Sequence, residues 1–329
     1  MLICISFSVF FACQKESGSN NHISNHFEYL DSLHTIPLNN PITLKKIALG
    51  EKLFFDPLLS KNQDLSCASC HNQKLAFSDG IALSSIGNSK SRLDRNSPAL
   101  FNLAWHSHFF WDGGKTSLEN QAFGPLRNEH EMAMNLDTLI SRLNKKGTYQ
   151  HLFKEAFTEG LNIENVVKAI ASYERTLISF SSKYDKYKSE KKTFLPRELQ
   201  GEKVFLSNCS SCHTPPLFTD TKFHNTGLDS IFPQQFSNAN QGRYRITGKI
   251  QDQGKYKTPS MRNLAFTSPY MHDGRFSSLT EVLNHYESPH KSNTLDTLLF
   301  NGIHLTTKEK KDLIIFLNTL NDTSFINKT

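Results

Sequence analysis

Tryptophan occurs only twice in 329 residues, at Trp105 and Trp111, and cysteine only six times. Any role given to either residue type therefore falls on very few positions. Long basic runs are missing. Lys and Arg are scattered among acids, with only short clusters such as Lys186 to Lys192, and the net charge of +6 is mild. Nothing here argues for nucleic acid. The apolar run Leu2 to Ala12 is too short to span a bilayer. Strand-like alternation is scarce, which leaves helical periodicity to carry the fold. The length suits two domains of ordinary size, each large enough for its own core.

Four of the six cysteines stand in two copies of one motif, Cys67-Ala68-Ser69-Cys70-His71 and Cys209-Ser210-Ser211-Cys212-His213. Cys-x-x-Cys-His reads as c-type haem attachment. On one helical turn, thiols at i and i+3 lie close enough to form thioethers with the two vinyl groups of a single haem. The next residue then points its imidazole at the iron as proximal ligand. Structural zinc, a redox cysteine pair and disulfides are the alternatives. Two copies, each with His directly after the second Cys, favour two covalently bound c-type haems over all three.

The remaining cysteines, Cys4 and Cys13, lie in the first segment. Leu2 to Ala12 resembles a signal-peptide core. Phe10-Phe11-Ala12-Cys13 looks like a lipoprotein cleavage box, although no Lys or Arg precedes the run and Phe10 replaces the usual Leu. Gln14 to His22 suits a flexible tether. Export to the periplasm is the expectation, with a lipid anchor at Cys13.

An internal repeat is visible. Gly50-Glu51-Lys52-Leu53-Phe54 precedes the first motif and Gly201-Glu202-Lys203-Val204-Phe205 the second. The interval from Gly to the first Cys is more than twice as long in the first copy, which implies two related units with unequal loops. Ile163, Val166, Val167, Ile170, Ala171 and Leu177 trace one apolar helix face. Thr306-x-x-Glu309 and Ser278-x-x-Glu281 are capping boxes, each opening an apolar run. The polar segment Tyr184 to Thr193 reads as a linker. Thr219 to Pro259, rich in Gly, Gln and Asn, reads as a long excursion folded over haem edges. The predicted fold is mainly α, with two cytochrome c-like haem domains and long loops. Residues 1–22 form the leader and tether, 23–194 the N-terminal domain and 195–329 the C-terminal domain.

The chain resembles the bacterial di-haem cytochrome c peroxidases and their MauG-type relatives over roughly Pro41 to Leu320. The resemblance rests on Arg95-Asn96-Ser97-Pro98, Phe110-Trp111-Asp112-Gly113, Gln121-Ala122-x-Gly124-Pro125 and Glu131-Met132. It continues in Lys257-Thr258-Pro259-Ser260-Met261-Arg262-Asn263 and Pro269-Tyr270-Met271-His272-Asp273-Gly274-Arg275. It implies that the haem at His71 is the peroxide site and the haem at His213 receives electrons. Glu131 and Gln121 then match the distal pair: a buried Glu can shuttle a proton, while Gln orients peroxide or water. Trp111 matches the tryptophan placed between the haems, and Trp105 is better explained as core. Asn96, Thr267 and Pro269 match positions that bind a calcium ion between the domains, largely through carbonyl oxygens. His272 is expected to contact haem or a propionate.

One departure from the family matters. Members that need reductive activation carry a His that caps the peroxidatic iron. Asn88, or its neighbour Gly87, stands there in Ser85-Ile86-Gly87-Asn88. Neither is a plausible iron ligand, which implies a resting site that is already open. His106 and His108 are the nearby alternatives. Opposite His213, Tyr286 falls where the family places the second axial ligand. Leu279, Val282, Leu283 and Tyr286 share one helix face, and Met271 and Met261 are the runners-up. A phenolate would lower the potential of that haem.

Three functions are compatible with these residues. The first is a peroxidase reducing hydrogen peroxide to water with electrons from a small cytochrome c or blue-copper protein. The second is a MauG-type oxidase acting on residues of a partner protein, and the third a non-catalytic di-haem electron carrier. A homodimer is a further expectation.

Overall fold

Side-chain caps decide where most of the helices begin. The structure, a computed structural model, describes residues 36–232 and 239–327; the expected leader and Cys13 lie outside them. Twelve helices and one pair of two-residue strands occur among the described residues. In chain order the helices are α1 (Leu44–Phe54), α2 (Cys67–Cys70), α3 (Leu118–Arg127), α4 (Leu136–Asn144), α5 (Gly147–Ala156) and α6 (Ile163–Glu174). There follow α7 (Lys183–Lys188), α8 (Pro196–Asn208), α9 (Tyr244–Thr247), α10 (Leu279–Glu287), α11 (Thr307–Asn318) and α12 (Thr323–Ile326). Strands β1 (Phe223–His224) and β2 (Tyr256–Lys257) pair antiparallel, with Phe223 opposite Lys257. The two capping boxes read from the sequence are present, Ser278 with Glu281 on α10 and Thr306 with Glu309 on α11. The fold is mainly α.

The repeated Gly-Glu-Lys-x-Phe pentapeptide is a helix-crossing device. A Cβ on Gly50 of α1 would lie 1.9 Å from the carbonyl oxygen of Ala169 on α6. A Cβ on Gly201 of α8 would lie 2.0 Å from that of Asp312 on α11. Only glycine lets the two backbones meet so closely. The apolar residues that follow, Leu53-Phe54 and Val204-Phe205, are buried in each case.

Two hydrophobic cores form around these crossings. The first contains Leu49, Leu53 and Phe54 of α1, with Val166, Val167 and Ile170 of α6. The expected face of α6 is therefore buried, and Leu177 joins the same core beyond the helix end. The second core contains Val204 and Phe205 of α8 with Leu313, Phe316 and Leu317 of α11. α12 crosses back, so that Phe325 packs on Phe77 and Phe101 in the first core. Buried hydrogen bonds stitch the same junction: Asn263 Nδ2 donates to Ser179 Oγ at 2.9 Å, and Asn263 Oδ1 accepts from Asp322 N at 2.8 Å.

Two stretches are more ordered than their composition implies. Tyr184 to Thr193, read as a linker, begins inside α7, and Tyr184 is buried in the second core. Its neighbour Asp185 accepts both guanidinium ends of the fully buried Arg262, at 2.9 and 2.7 Å. One aromatic and one acid anchor what charge counting makes look loose. The excursion from Thr219 to Pro259 contains β1, α9 and β2.

Replacing Gly50 or Gly201 by Ala is expected to overpack its crossing and destabilise the protein by about 1–3 kcal/mol. Thermal unfolding of each holoprotein variant measures it. An unchanged midpoint would remove the glycine clamp from the account.

Candidate di-haem site

Both Cys-x-x-Cys-His motifs adopt a helical turn. His71 N donates to Cys67 O at 3.0 Å, and His213 N donates to Cys209 O at 2.9 Å. The first motif is α2 itself; the second continues the C-terminal end of α8. Ser66 caps α2, and its N–H is bound by Ser69 Oγ at 3.0 Å. All four thiols are free, which leaves the disulfide alternative without a bond. Among the described residues no group of three or more His, Cys, Asp and Glu could hold a metal ion, which disfavours structural zinc.

The histidines are held alike. His71 Nδ1 lies 2.9 Å from Phe77 O. His213 Nδ1 lies 3.2 Å from Phe218 O and 3.1 Å from Pro259 O. A carbonyl only accepts, so Nδ1 carries the proton and Nε2 keeps its lone pair for a metal. Burial lowers both imidazole pKa values, that of His213 to about 4, which keeps the rings neutral at physiological pH. Phe77 and Phe218 both adopt left-handed backbone, at φ 60° and 57°. That conformation is strained for a non-glycine residue, and it recurs where a carbonyl must face the ring. The sequence reading did not find these acceptors, since a main-chain oxygen leaves no side-chain signature. A phenylalanine five or six residues after each motif histidine was the available signal.

A large cleft borders the second motif. Cys209, Cys212 and His213 line it, and so do Trp111, Gln121 and Tyr286. The apolar face of α10 also opens onto it: Leu279, Val282, Leu283 and Tyr286 line the cleft, and no residue of α10 is fully buried. Leu279 and Leu283 also pack on the second core, so this apolar face borders both protein and a cleft wide enough for an apolar group. Cys209 and Cys212 are near enough to Tyr286 to add to the rise that burial gives its phenol pKa. Met261 and Met271, the other candidates, line the same cleft.

Several buried polar atoms here make no hydrogen bond: Gln121 Oε1, His106 Nε2 and both ring nitrogens of His272. His272 stacks on Tyr256 with ring centroids 3.7 Å apart. Near the first motif, the Glu174 carboxyl is pushed up to about 8, chiefly by burial, and its Oε2 is also unpartnered. Orphaned polar atoms beside apolar walls fit a large amphipathic ring with polar edges. The residues lining the cleft therefore fit a haem at the second motif, and the first motif presents the same turn with its histidine held in the same way.

Glu131 does not border this cleft. It lies beside the first motif, where it and Asp79 help raise the Cys70 thiol pKa. Its loop folds back on the end of α3: Met132 N donates to Pro125 O at 3.2 Å and Met134 N to Leu126 O at 2.7 Å. Burial raises the Glu131 carboxyl, against the opposing effect of a hydrogen bond from Asn128. The segment expected to hold a capping ligand is pinned to this same loop. Asn88 N donates to Glu131 O at 2.7 Å, and a Cβ on Gly87 would lie 1.8 Å from His130 O. His106 and His108 instead line the cleft of the second motif, His106 3.2 Å from Lys257 Nζ and His108 edge-on to Phe223.

Trp111 joins the two halves. Its Nε1 donates to Asn96 O at 2.9 Å, and its own carbonyl accepts from Lys257 N at 2.8 Å. Trp105 packs against Phe180. Asn96, Thr267 and Pro269 all line the cleft. Asn96 Nδ2 is engaged by Ile81 O at 2.7 Å, so its oxygen is the side-chain atom left for a cation.

Comparison with known proteins agrees with this geometry. Residues 44–193 match the family described as di-haem cytochrome c peroxidase. Methylamine utilization protein MauG of Methylorubrum extorquens is 35% identical over 289 residues, covering 86% of this chain and 80% of that protein. The chain belongs to the di-haem cytochrome c peroxidase family. Cytochrome c551 peroxidase of Nitrosomonas europaea is 34% identical over 71% of this chain and 70% of its own length. The crystal structure of a MauG-like protein associated with microbial copper homeostasis superposes with a TM-score of 0.82 at 33% identity, over 89% of this chain and 94% of that one. As a member of a di-haem family, the protein is an oxidoreductase that carries c-type haems. Peroxidase and MauG names divide the relatives between them.

Changing Cys67 and Cys70 together to Ser is expected to remove one of the two covalent haems. The pyridine haemochrome per chain should fall to about half. A full complement after this double change would exclude the first motif as an attachment site.

Proposed function

We propose that the protein reduces hydrogen peroxide to water in the periplasm, with electrons from a small cytochrome c or blue-copper protein. Hydrogen peroxide, two electrons and two protons give two water molecules. When bound, the haems supply the redox chemistry, one activating peroxide and the other passing single electrons. The chain's own residues do the rest. Glu131 takes a proton from one peroxide oxygen and returns it to the other, so that water leaves rather than hydroxide. Gln121 lines the cleft and not the Glu131 loop; its family match and its unpartnered Oε1 support the role of orienting peroxide or water by hydrogen bonding. Trp111 relays electrons between the halves, held by Asn96 and Lys257.

The observation that carries the reading is the Glu131 loop. It places a partly buried carboxyl with a raised pKa beside the first attachment motif. The Gly87–Asn88 segment is fixed to it by main-chain contacts. Gly87 has no room for a side chain, and the Asn88 amide is engaged by Asn62 at 3.1 Å. No side chain of this segment is left to cap the site, which supports activity without prior reduction. Calcium at Asn96, Thr267 and Pro269 is part of the same proposal, as the element that fixes the inter-half junction.

A second reading is a MauG-type oxidase acting on a partner protein. What favours it is Tyr286, which lines the same cleft as Cys209 and Cys212 and is near enough to both to feel their charge. An anionic oxygen there would stabilise oxidised iron and suit the storage of oxidising equivalents.

Steady-state peroxide turnover, on enzyme never pre-reduced, tests the first reading. Glu131→Gln is expected to lower kcat by roughly 10²–10⁴-fold. Because the ionised carboxylate is the base and burial raises its pKa, wild-type activity should fall as pH drops through a value above the ordinary carboxylate range. That acid limb should vanish in the variant. Equal rates in both would take Glu131 out of the mechanism.

The ferric absorption spectrum tests the axial tyrosine. Tyr286→Phe should change the low-spin component and raise the potential of the second haem. An unaltered spectrum would return Tyr286 to the role of a packing residue.

A further inference from the structure

Lys257 serves the fold through its backbone, yet its side chain has no structural purpose in what has been described. It is half-buried against the cleft, where desolvation lowers its pKa to about 8. Its Nζ lies 3.2 Å from His106 Nδ1. No carboxylate pairs with either group among the described residues; Asp220 acts on Lys257 only at a distance. An ammonium placed against a neutral imidazole leaves a partly desolvated charge without a counter-ion, at a cost that rises with its burial.

The imidazole shows where compensation enters. Burial and the neighbouring Lys257 hold the His106 pKa well below its ordinary value, so the ring is neutral. Its Nδ1 accepts from the ammonium, and the ring proton therefore sits on Nε2. That Nε2 is buried and unpartnered, in a residue only 5% exposed. Both side chains line the cleft that holds Cys209, Cys212 and His213. A polarised N–H donor with a cation behind it is a carboxylate-binding arrangement.

We propose that His106 and Lys257 form a carboxylate site that receives a propionate of the haem attached at Cys209 and Cys212. The inference rests on haem attachment there and not on peroxide reduction. Lys257 fixes the His106 tautomer, and the carboxylate accepts from Nε2–H while neutralising the ammonium. The site draws one residue from each side of the junction. His106 follows the turn that Asn102 ties to Ser179, and Lys257 belongs to β2. A positive charge held beside that haem also raises its potential, opposing the effect of a tyrosinate ligand.

The test uses full-length holoprotein carrying His106→Leu, His106→Gln or Lys257→Met, read by resonance Raman at the propionate-bending modes and by redox titration. In His106→Leu and Lys257→Met, one bending mode should shift and the potential of the second haem should fall. His106→Gln, which retains an N–H donor, should restore most of both. Repeating the measurement in a chain lacking Cys67 and Cys70 leaves a single haem as the source. A shift that survives there supports the assignment; a shift seen only in the two-haem protein overturns it in favour of the other haem's carboxylate. Unchanged modes and potential in His106→Leu overturn the site altogether, even if Lys257→Met does not fold.

Discussion

The bond from each motif histidine to a main-chain carbonyl is the constraint around which both halves are organised. It fixes the tautomer, aims Nε2 at the place of the metal, and sets the plane of the ring. The carbonyl must come from backbone turned against its usual preference, and Phe77 and Phe218 supply it in the left-handed region. What holds them there is burial: the Phe77 ring packs on Phe54 and Phe325, and the Phe218 ring on Phe205 and Phe316. Phe54 and Phe205 are the final residues of the repeated pentapeptide. The glycine at its start brings a partner helix close, and the phenylalanine at its end wedges the strained carbonyl in position.

The same scaffold is finished differently in each half. Near the first motif, the covering segment is a main-chain clasp, Gly87 and Asn88 on His130 and Glu131, which leaves a carboxyl as the reactive group at hand. Near the second, the covering element is α10, a capped helix turning four residues of one face onto the cleft. A clasp of backbone supplies no axial ligand, whereas a helix face can. The proposed division of labour, one site open to peroxide and one closed for electron transfer, follows from that difference in cover.

The sequence made the scaffold legible because its signals are local. Cys-x-x-Cys-His, the two capping boxes and the apolar spacing of α6 each describe a single helix or turn, and each is present in the structure. The Gly-Glu-Lys-x-Phe repeat was visible too, but its meaning was not, because the close approach involves carbonyls more than a hundred residues away in chain position. Tyr184 shows the opposite limit: in a polar stretch, one buried aromatic outweighs its neighbours, and only tertiary packing reveals it. The apolar face of α10 packs on the second core through Leu279 and Leu283 and also lines a cleft, since in sequence a helix that packs on a cofactor looks like one that packs on protein. Glu131 and Gln121 were found through family motifs alone, as a carboxylate in a run of charged residues carries no mark of its burial.

The three residues from Lys257 to Pro259 bring the two halves into one mechanical unit. Lys257 N holds the carbonyl of Trp111, and two residues later Pro259 O reaches the Nδ1 of His213. Trp111 in turn holds Asn96 O, next to the buried ion pair of Arg95 with Asp112 at 2.6 Å. The indole and the imidazole of His213 are thus linked through one short stretch of main chain. Fixed separations of this kind are what the proposed electron relay through Trp111 needs. The strand spanning this short distance is bonded on several sides. Tyr256 Oη donates to Ala239 O at 2.8 Å, Lys257 N to Trp111 O, and Thr258 N to Lys222 O at 2.9 Å. Lys257 thus fixes the junction through its main chain while its side chain lines the cleft.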